Sequence, residues 1–294
     1  RLASLIDIRM KDGNIKKFHG NGGIGLISSR LMLEGPIVKD KSSFMIAGRR
    51  SYADVFLRLS SDENIRENIL YFYDLNAKMN YNINDKNHLF ISGYLGNDVF
   101  KNGNFGTKWG NSTGTIRWNH IFQEKLFSNF TFIYSKFNYD LGIPEGNENA
   151  FNWGSTLTDY NAKADFTWFL NSNNRLTFGL STIYHNFYPG LIEGYGDESF
   201  ITRYELPNNY ALESGIYMGN EQKLGTQFIL KYGIRLSIFN NVGPGTIFNF
   251  DTEGNPIDST FYESGDFFNT YVALEPRLGI VFLLNETSSI KASY

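Results

Sequence analysis

The sequence predicts an all-β chain, a single antiparallel sheet built to cross a membrane as part of a β-barrel. Three observations carry this prediction. Helical periodicity is nearly absent, while apolar and polar residues alternate with period two from end to end. The composition is strand-rich, 16% aromatic with 29 glycines and only 7 prolines. The connections between alternating runs are by turns short and long, which puts the short turns at one end of an antiparallel sheet and the long loops at the other.

In chain order, Arg1 to Met10 reads as a strand in progress, closed by the turn Lys11-Asp12-Gly13-Asn14. From Phe18 onward about twelve strands follow, with a thirteenth begun at Ile290. One row is Tyr71, Tyr73, Leu75, Ala77, Met79 and Tyr81, set against Asp74, Asn76, Lys78, Asn80 and Asn82. A second is Tyr160, Ala162, Ala164, Phe166, Trp168 and Leu170, set against Asp159, Asn161, Lys163, Asp165 and Thr167. Phe228, Leu230, Tyr232, Ile234, Leu236 and Ile238 form a third. Short polar turns are predicted at Val38–Lys41, Asn84–Asn87, Gln123–Lys125, Asn171–Asn174, Glu221–Lys223 and Asn285–Thr287. Longer irregular links are predicted over Arg58–Asn68, Phe100–Asn111, Leu141–Ser155, Gly190–Asn208 and Asn241–Asn269.

A soluble β-sandwich also alternates, but its strands average about 5–6 residues. Several runs here alternate over ten residues or more, the length a tilted strand needs to cross a bilayer. Tyr71, Tyr73 and Trp168 end their rows where interfacial aromatics belong. The longest uncharged apolar run, Leu278–Leu284, is too short for a membrane helix.

Charge and chemistry narrow the function. With 27 Lys+Arg against 30 Asp+Glu the chain carries −3, so nothing predicts a nucleic-acid partner. The absence of cysteine excludes thiolate catalysis, disulfides and sulfur-bound zinc. His19, His88, His120 and His185 stand too far apart in sequence to suggest a metal centre. Gly20-Asn21-Gly22-Gly23-Ile24-Gly25 fits a dinucleotide fingerprint, but the residues after it are strand-like, and that chemistry requires a helix. The glycines are better read as a barrel strand that bends close to another element. Asp251–Asp258 offers oxygen ligands without EF-hand spacing and reads as a solvated loop. No Gly-x-Ser-x-Gly motif orders a nucleophile. Asp159, Lys163, Asp165, Lys231, Arg235, Glu275 and Arg277 read as the wet inner face of a large barrel. No catalysis, cofactor or metal site is expected.

The two longest links gather Tyr195, Phe200, Tyr204, Phe248, Phe250, Phe261, Tyr262, Phe267 and Phe268 with Asp197, Glu198, Arg203, Asp251, Glu253 and Asp266. Aromatic faces with a few charges suit ligand capture, and loops on a rigid scaffold are free to carry it. Tyr195, Arg203, Tyr204, Phe248, Asp251, Phe261 and Tyr262 are the candidate ligand-binding residues. The plainer reading is that they only pack the loops together and mark the outer interface.

Leu5-Ile6-Asp7-Ile8-Arg9-Met10-Lys11-Asp12-Gly13-Asn14 resembles the last plug strand of TonB-dependent outer-membrane receptors. Gly23 to Ile37 is similar to their first barrel hairpin, and Ser43 to Tyr52 to their third strand. Leu274-Glu275-Pro276-Arg277-Leu278-Gly279-Ile280 resembles a Pro-Arg-Leu-Gly strand recurrent in the family, and Ser289–Tyr294 fits the next strand's opening. The wording is closest to receptors of Bacteroidota that carry a carboxypeptidase-like regulatory domain before the plug. The resemblance implies a plugged barrel of 22 strands, with residues 1–14 ending the plug and residues 15–294 forming the N-terminal half of the barrel. It implies an outer-membrane receptor in contact with lipid that catches a scarce nutrient on extracellular loops and imports it with energy from TonB. TonB would act through an N-terminal box upstream of Arg1. The first residues lack the basic start and apolar core of a secretory leader, and both ends read as cut from a longer polypeptide. The class of nutrient (siderophore, glycan, peptide or vitamin) stays open, as does an accessory surface lipoprotein over the loops. Two other readings stand beside it: a complete smaller barrel acting as a passive outer-membrane channel or an outer-membrane enzyme, and a soluble lectin-type β protein.

Overall fold

A computed structural model describes residues 10–146, 148–196 and 199–294. The chain begins with β1 (His19–Ile24), β2 (Ser28–Val38) and β3 (Ser42–Ser51), followed by two short helices, α1 (Ala53–Leu57) and α2 (Glu63–Arg66). Six strands come next: β4 (Ile69–Asn84), β5 (Asn87–Lys101), β6 (Gly106–Gln123), β7 (Leu126–Ile143), β8 (Phe151–Asn171) and β9 (Asn174–Gly194). After the two-residue β10 (Tyr204–Glu205) the chain runs through β11 (Asn209–Leu224) and β12 (Phe228–Val242). It ends with β13 (Gly245–Phe250), β14 (Pro256–Tyr262), β15 (Phe267–Leu283) and β16 (Ser289–Ser293).

Each long strand pairs antiparallel with its neighbours in sequence, in the order β1 to β9, then β11, β12, β15 and β16, with β10 attached to β9. That row is twelve strands from β1 to β15 plus the short β16, as the alternation predicts. β13 and β14 form a separate hairpin. No second sheet faces the main one among the described residues, so the architecture is a barrel wall and not a sandwich. Among the described residues β1 and β16 are its two edges.

Register turns the alternating rows into faces. Phe132, Ala162, Thr182 and Ser214 align across β7, β8, β9 and β11, and one step along Phe130, Ala164, Leu180 and Ile216 do the same. The row continues through Leu236 on β12 and Leu274 on β15. Leu180, Ile216 and Leu274 are each more than half exposed, on a face that nothing among the described residues covers. Aromatics bound this band. Trp118, Phe130, Phe166 and Phe178 lie toward the short-turn end, with Phe166 stacked 5.1 Å from Phe178. At the other end Tyr134 and Tyr160 lie 5.5 Å apart, and Tyr184 and Tyr210 6.1 Å apart. Trp168 to Tyr160 is eight steps of roughly 3.3 Å, or about 20 Å of height on a strand tilted about 40°, close to the lipid-facing band of a barrel.

The opposite face is polar, and Glu34, Ser43, Met45 and Asn80 are buried on it. Met10 to Lys17 runs along it. Lys11 pairs with Glu34 at 2.7 Å, and Lys78 pairs with Asp12 at 2.6 Å while donating to the Met10 carbonyl at 2.9 Å. Ser43 Oγ donates to the Gly13 carbonyl at 2.8 Å and accepts from Asn80 Nδ2 at 2.8 Å. A Cβ on Gly13 would sit 2.1 Å from the Phe44 carbonyl oxygen, so only glycine allows this approach. Of the predicted plug strand, Leu5–Arg9 lie outside the described residues, and Met10–Asn14 run unpaired.

Several boundaries differ from the sequence reading. The link predicted at Phe100–Asn111 is only residues 102–105, because β5 and β6 pair out to Lys101 and Gly106. Likewise β7 and β8 pair out to Ile143 and Phe151. Above the band the outward positions turn polar, as at Asn138, Asp140, Thr156 and Asn152, while Tyr139, Leu141, Leu157 and Trp153 take the inward ones, so the alternation changes face while the ladder continues. The turn predicted at Glu221–Lys223 falls at Gly225–Gln227, where Gly225 takes φ 65°. Glu221 stays in β11, held by Arg175 and Lys231, each at 3.0 Å. Arg58–Asn68 contains α2, begun by Asp62, whose carboxylate accepts from the Asn64 N–H at 3.0 Å. The glycines of Gly20–Gly25 lie on edge strand β1 and lead into β2, with no helix after them.

Candidate ligand-binding site on the long connections

The candidate residues lie beyond the tyrosines, in two groups. The first belongs to the β9–β11 connection, which folds back on its neighbours. Tyr195 N–H donates to the Ala150 carbonyl at 3.1 Å, and Phe200 N–H to that of Glu148 at 3.0 Å. Tyr204 pairs with Ile192 through β10, and Glu205 accepts from Tyr188 Oη at 3.0 Å and from Arg203 at 3.2 Å. Gly190, at φ 138°, makes the fold-back possible: a Cβ there would meet Trp153 Nε1 at 2.0 Å. Asp197 and Glu198 lie outside the described residues. Tyr195 also borders a cavity of about 450 Å³ between this connection and the β5–β6 and β7–β8 loops.

The second group is the β13–β14 hairpin, predicted only as an irregular loop. Register places Thr246, Phe248 and Phe250 on one face with Ser259 and Phe261. Phe248, Phe250 and Phe261 are each more than half exposed, and the first two rings lie 6.4 Å apart. On the other face Tyr262 stacks 4.6 Å from Phe268 and ties the hairpin to β15. Asp251 closes the turn, accepting from the backbone N–H of Glu253 at 2.9 Å and of Asn255 at 2.8 Å, and from Asn255 Nδ2 at 3.1 Å. Those Asn255 bonds lead the causes that hold its carboxyl below the usual aspartate value. Its oxygens are thus spent on the turn. Among the described residues, no group of His, Asp or Glu is placed to hold a metal ion.

No hydrogen bond, ion pair or ring contact joins Tyr195, Arg203 and Tyr204 to Phe248, Asp251, Phe261 and Tyr262 among the described residues. The arrangement is two separate aromatic surfaces at one end of the wall.

The polar rows of the inner face are connected more fully than the sequence revealed. Lys163 pairs with Asp165 at 3.3 Å, and Asp165 also accepts from Tyr217 Oη. Arg235 donates to Ser181 at 3.2 Å and Ser237 at 3.0 Å, Ser237 donates to Glu275 at 2.6 Å, and Arg277 reaches Glu275 at 3.0 Å. His185 meets Asp159 at 2.7 Å. Tyr217, Ser181 and Ser237 join this network only through cross-strand register, which alternation within single strands cannot supply.

No protein-family model matches the sequence, and no curated protein matches it. Solved structures do match its fold. The copper transporter OprC aligns with TM-score 0.70 at 8% identity, over 96% of this chain and 47% of that one. BauA, the ferric preacinetobactin receptor from Acinetobacter baumannii, aligns with TM-score 0.66 at 10% identity, over 96% and 47%. The pyoverdine outer membrane receptor FpvA from Pseudomonas aeruginosa PAO1, bound to pyoverdine, aligns with TM-score 0.64 at 15% identity, over 97% and 46%. The chain spans about half the length of these structures. Its fold is that of a portion of the barrel of TonB-dependent receptors.

Proposed function

We propose that this chain is the N-terminal half of the barrel of a TonB-dependent outer-membrane receptor, with residues 1–14 as the end of its plug. The receptor binds a scarce nutrient on its extracellular loops and imports it with energy supplied by TonB, catalysing no reaction. The observation that carries this reading is the two-faced wall: an apolar outer band capped by tyrosines, an ion-paired inner face against which Met10–Lys17 already lies, and the elaborated connections at one end. The matching receptor barrels support the same reading. A small passive channel would leave the anchoring of Met10–Lys17 without a purpose. The exposed phenyl faces of the hairpin, with the surface around Tyr195, Arg203 and Tyr204, supply the ligand contacts.

The test uses the full-length receptor in its native host. Deleting Gly245 to Ser264 should abolish retention of the small molecule that co-purifies with the wild type, at unchanged outer-membrane level, and uptake should also vanish in a TonB-null strain. Retention that survives the deletion would move the site to the plug apex. Uptake that persists without TonB would favour the passive channel.

A further inference from the structure

The β13–β14 hairpin is a sheet of two strands, and no backbone hydrogen bond joins either arm to a third strand among the described residues. One contact shows which groups its edges present. The Ser259 N–H donates to the carboxylate of its neighbour Asp258 at 2.7 Å, outside the ladder. Antiparallel pairs alternate between those that exchange backbone bonds and those that turn them away. Phe248, the register partner of Ser259, therefore turns its N–H and C=O out from β13, and Thr246, two residues back, does the same. The Asp258 carboxylate blunts the β14 edge. From Thr246 to Asn249, by contrast, β13 has no charge, proline or bulge, the devices by which edge strands refuse a partner.

The side chains beside that open edge select what can pair there. Phe248, Phe250 and Phe261 stand exposed on one face, and Asp258 lies on the other. Residues 236–276 include no Lys or Arg, whereas Asp251, Glu253, Asp258, Glu263 and Asp266 are acidic. None of these acids is in an ion pair among the described residues. A strand added at Thr246 and Phe248 sets every second side chain on the phenyl face and the rest on the Asp258 face. An anionic ligand meets only repulsion here, and a cationic one only attraction.

We propose that the cargo of this receptor is an extended basic peptide, captured by strand addition to β13. The peptide pairs its backbone with Thr246 and Phe248 and lays alternate apolar side chains beside Phe248 and Phe250. Its Lys or Arg side chains turn to the Asp258 face and to the acidic turn. Main-chain bonds supply affinity for any chain of this kind, and the alternation supplies selectivity. A third strand also stabilises a hairpin that is marginal by itself. The substrate class rests on the receptor reading above.

The test takes the full-length receptor, purified in detergent, and end-blocked hexapeptides matched to the 6 residues of β13. A peptide alternating valine with lysine should bind, and one alternating valine with glutamate should not. In register with Phe248, the valine N–H groups face β13 and the lysine N–H groups face away. N-methylation at the valines should therefore weaken binding roughly tenfold or more, and N-methylation at the lysines should change it little. Phe248→Ala and Glu253→Gln/Glu263→Gln should each weaken it severalfold; the methylated peptides need only the wild type, so a poorly assembling variant does not blunt the test. Labelled valine–lysine peptide should enter cells only when TonB is present. Equal binding of the two methylated forms, or binding of the glutamate peptide, would overturn the proposal. Peptide that binds without being imported would make the hairpin a docking surface for a protein segment and overturn the cargo assignment. A receptor that imports its co-purifying molecule through TonB yet binds none of these peptides would overturn the peptide and leave the receptor reading standing. Import of that molecule without TonB would strike the receptor reading itself.

Discussion

Below Tyr160 and above it, β8 keeps the same antiparallel partners but shows the surroundings a different surface. From Trp168 to Tyr160 its outward residues are Trp168, Phe166, Ala164, Ala162 and Tyr160; beyond them come Thr158, Thr156, Gly154 and Asn152. The strand is 21 residues long, about twice the 9–11 that a bilayer requires. Backbone hydrogen bonding holds both halves equally, since every N–H and C=O in a ladder is satisfied whatever the solvent. What changes is the reason for the side chains. In the proposed receptor, lipid demands an apolar outer face in the lower half and leaves polarity to the inner one. In the upper half that demand is absent, and the outer face turns polar.

The comparison can be broken most completely by expressing these 294 residues alone. The isolated 294-residue chain leaves β1 and β16 as open edges, which lipid does not tolerate and which template aggregation in water. It should give inclusion bodies and no heat-modifiable monomer on gels. A stable, conducting monomer in detergent would favour a small channel. Within the full-length receptor, Ala164→Arg puts a cation beside Phe130 and Leu180 in the band and should cost roughly 2–4 kcal/mol in folding into lipid if near the midplane. Thr158→Arg, on the same face but above Tyr160, should cost roughly 0–1 kcal/mol. Equal costs at the two positions would erase the boundary drawn at Tyr160. Lys163→Ala, one residue from Ala164 but inward, removes a half-exposed ion pair with Asp165 and should cost roughly 0–1 kcal/mol.

The smallest effect concerns the hairpin. Asp251 has a lowered folded carboxyl value, so its stabilisation of the turn is fully present above the unfolded value of about 4 and is lost as pH falls through the folded one. Protease protection at Gly254 should therefore hold at neutral pH and fail only in acid. Asp251→Ala should be cut there at neutral pH. Equal protection in variant and wild type would mean the carboxylate does not hold the turn.

Period-two rows such as Tyr71–Tyr81 and Tyr160–Leu170 are enough to read strand number and order, because each wall strand alternates an apolar with a polar row. The upper halves of β5 to β9 mislead because the alternation changes face there: Tyr139, Leu141 and Leu157 turn inward while Asn138, Asp140 and Thr156 take the outward positions that Tyr134 and Tyr160 hold below. The β13–β14 hairpin also escaped, since its alternation of Thr246, Phe248 and Phe250 is short and is interrupted at Asp251 by the turn. The candidate site was visible as composition only. That Tyr195, Arg203 and Tyr204 separate from Phe248, Asp251, Phe261 and Tyr262 depends on tertiary register.

The central claim is that one face of this wall meets lipid between Trp168 and Tyr160 and water above it. Because the chain contains no cysteine, single cysteines placed along β8 from residue 154 to residue 168 can be spin-labelled in a full-length receptor made cysteine-free elsewhere and reconstituted in vesicles. Collision with oxygen dissolved in lipid should be high at 162, 164 and 166 and low at 161, 163 and 165, with a water-soluble relaxant reaching 154, 156 and 158. A profile without alternation from 161 to 166, or lipid accessibility continuing to 154, would contradict the account.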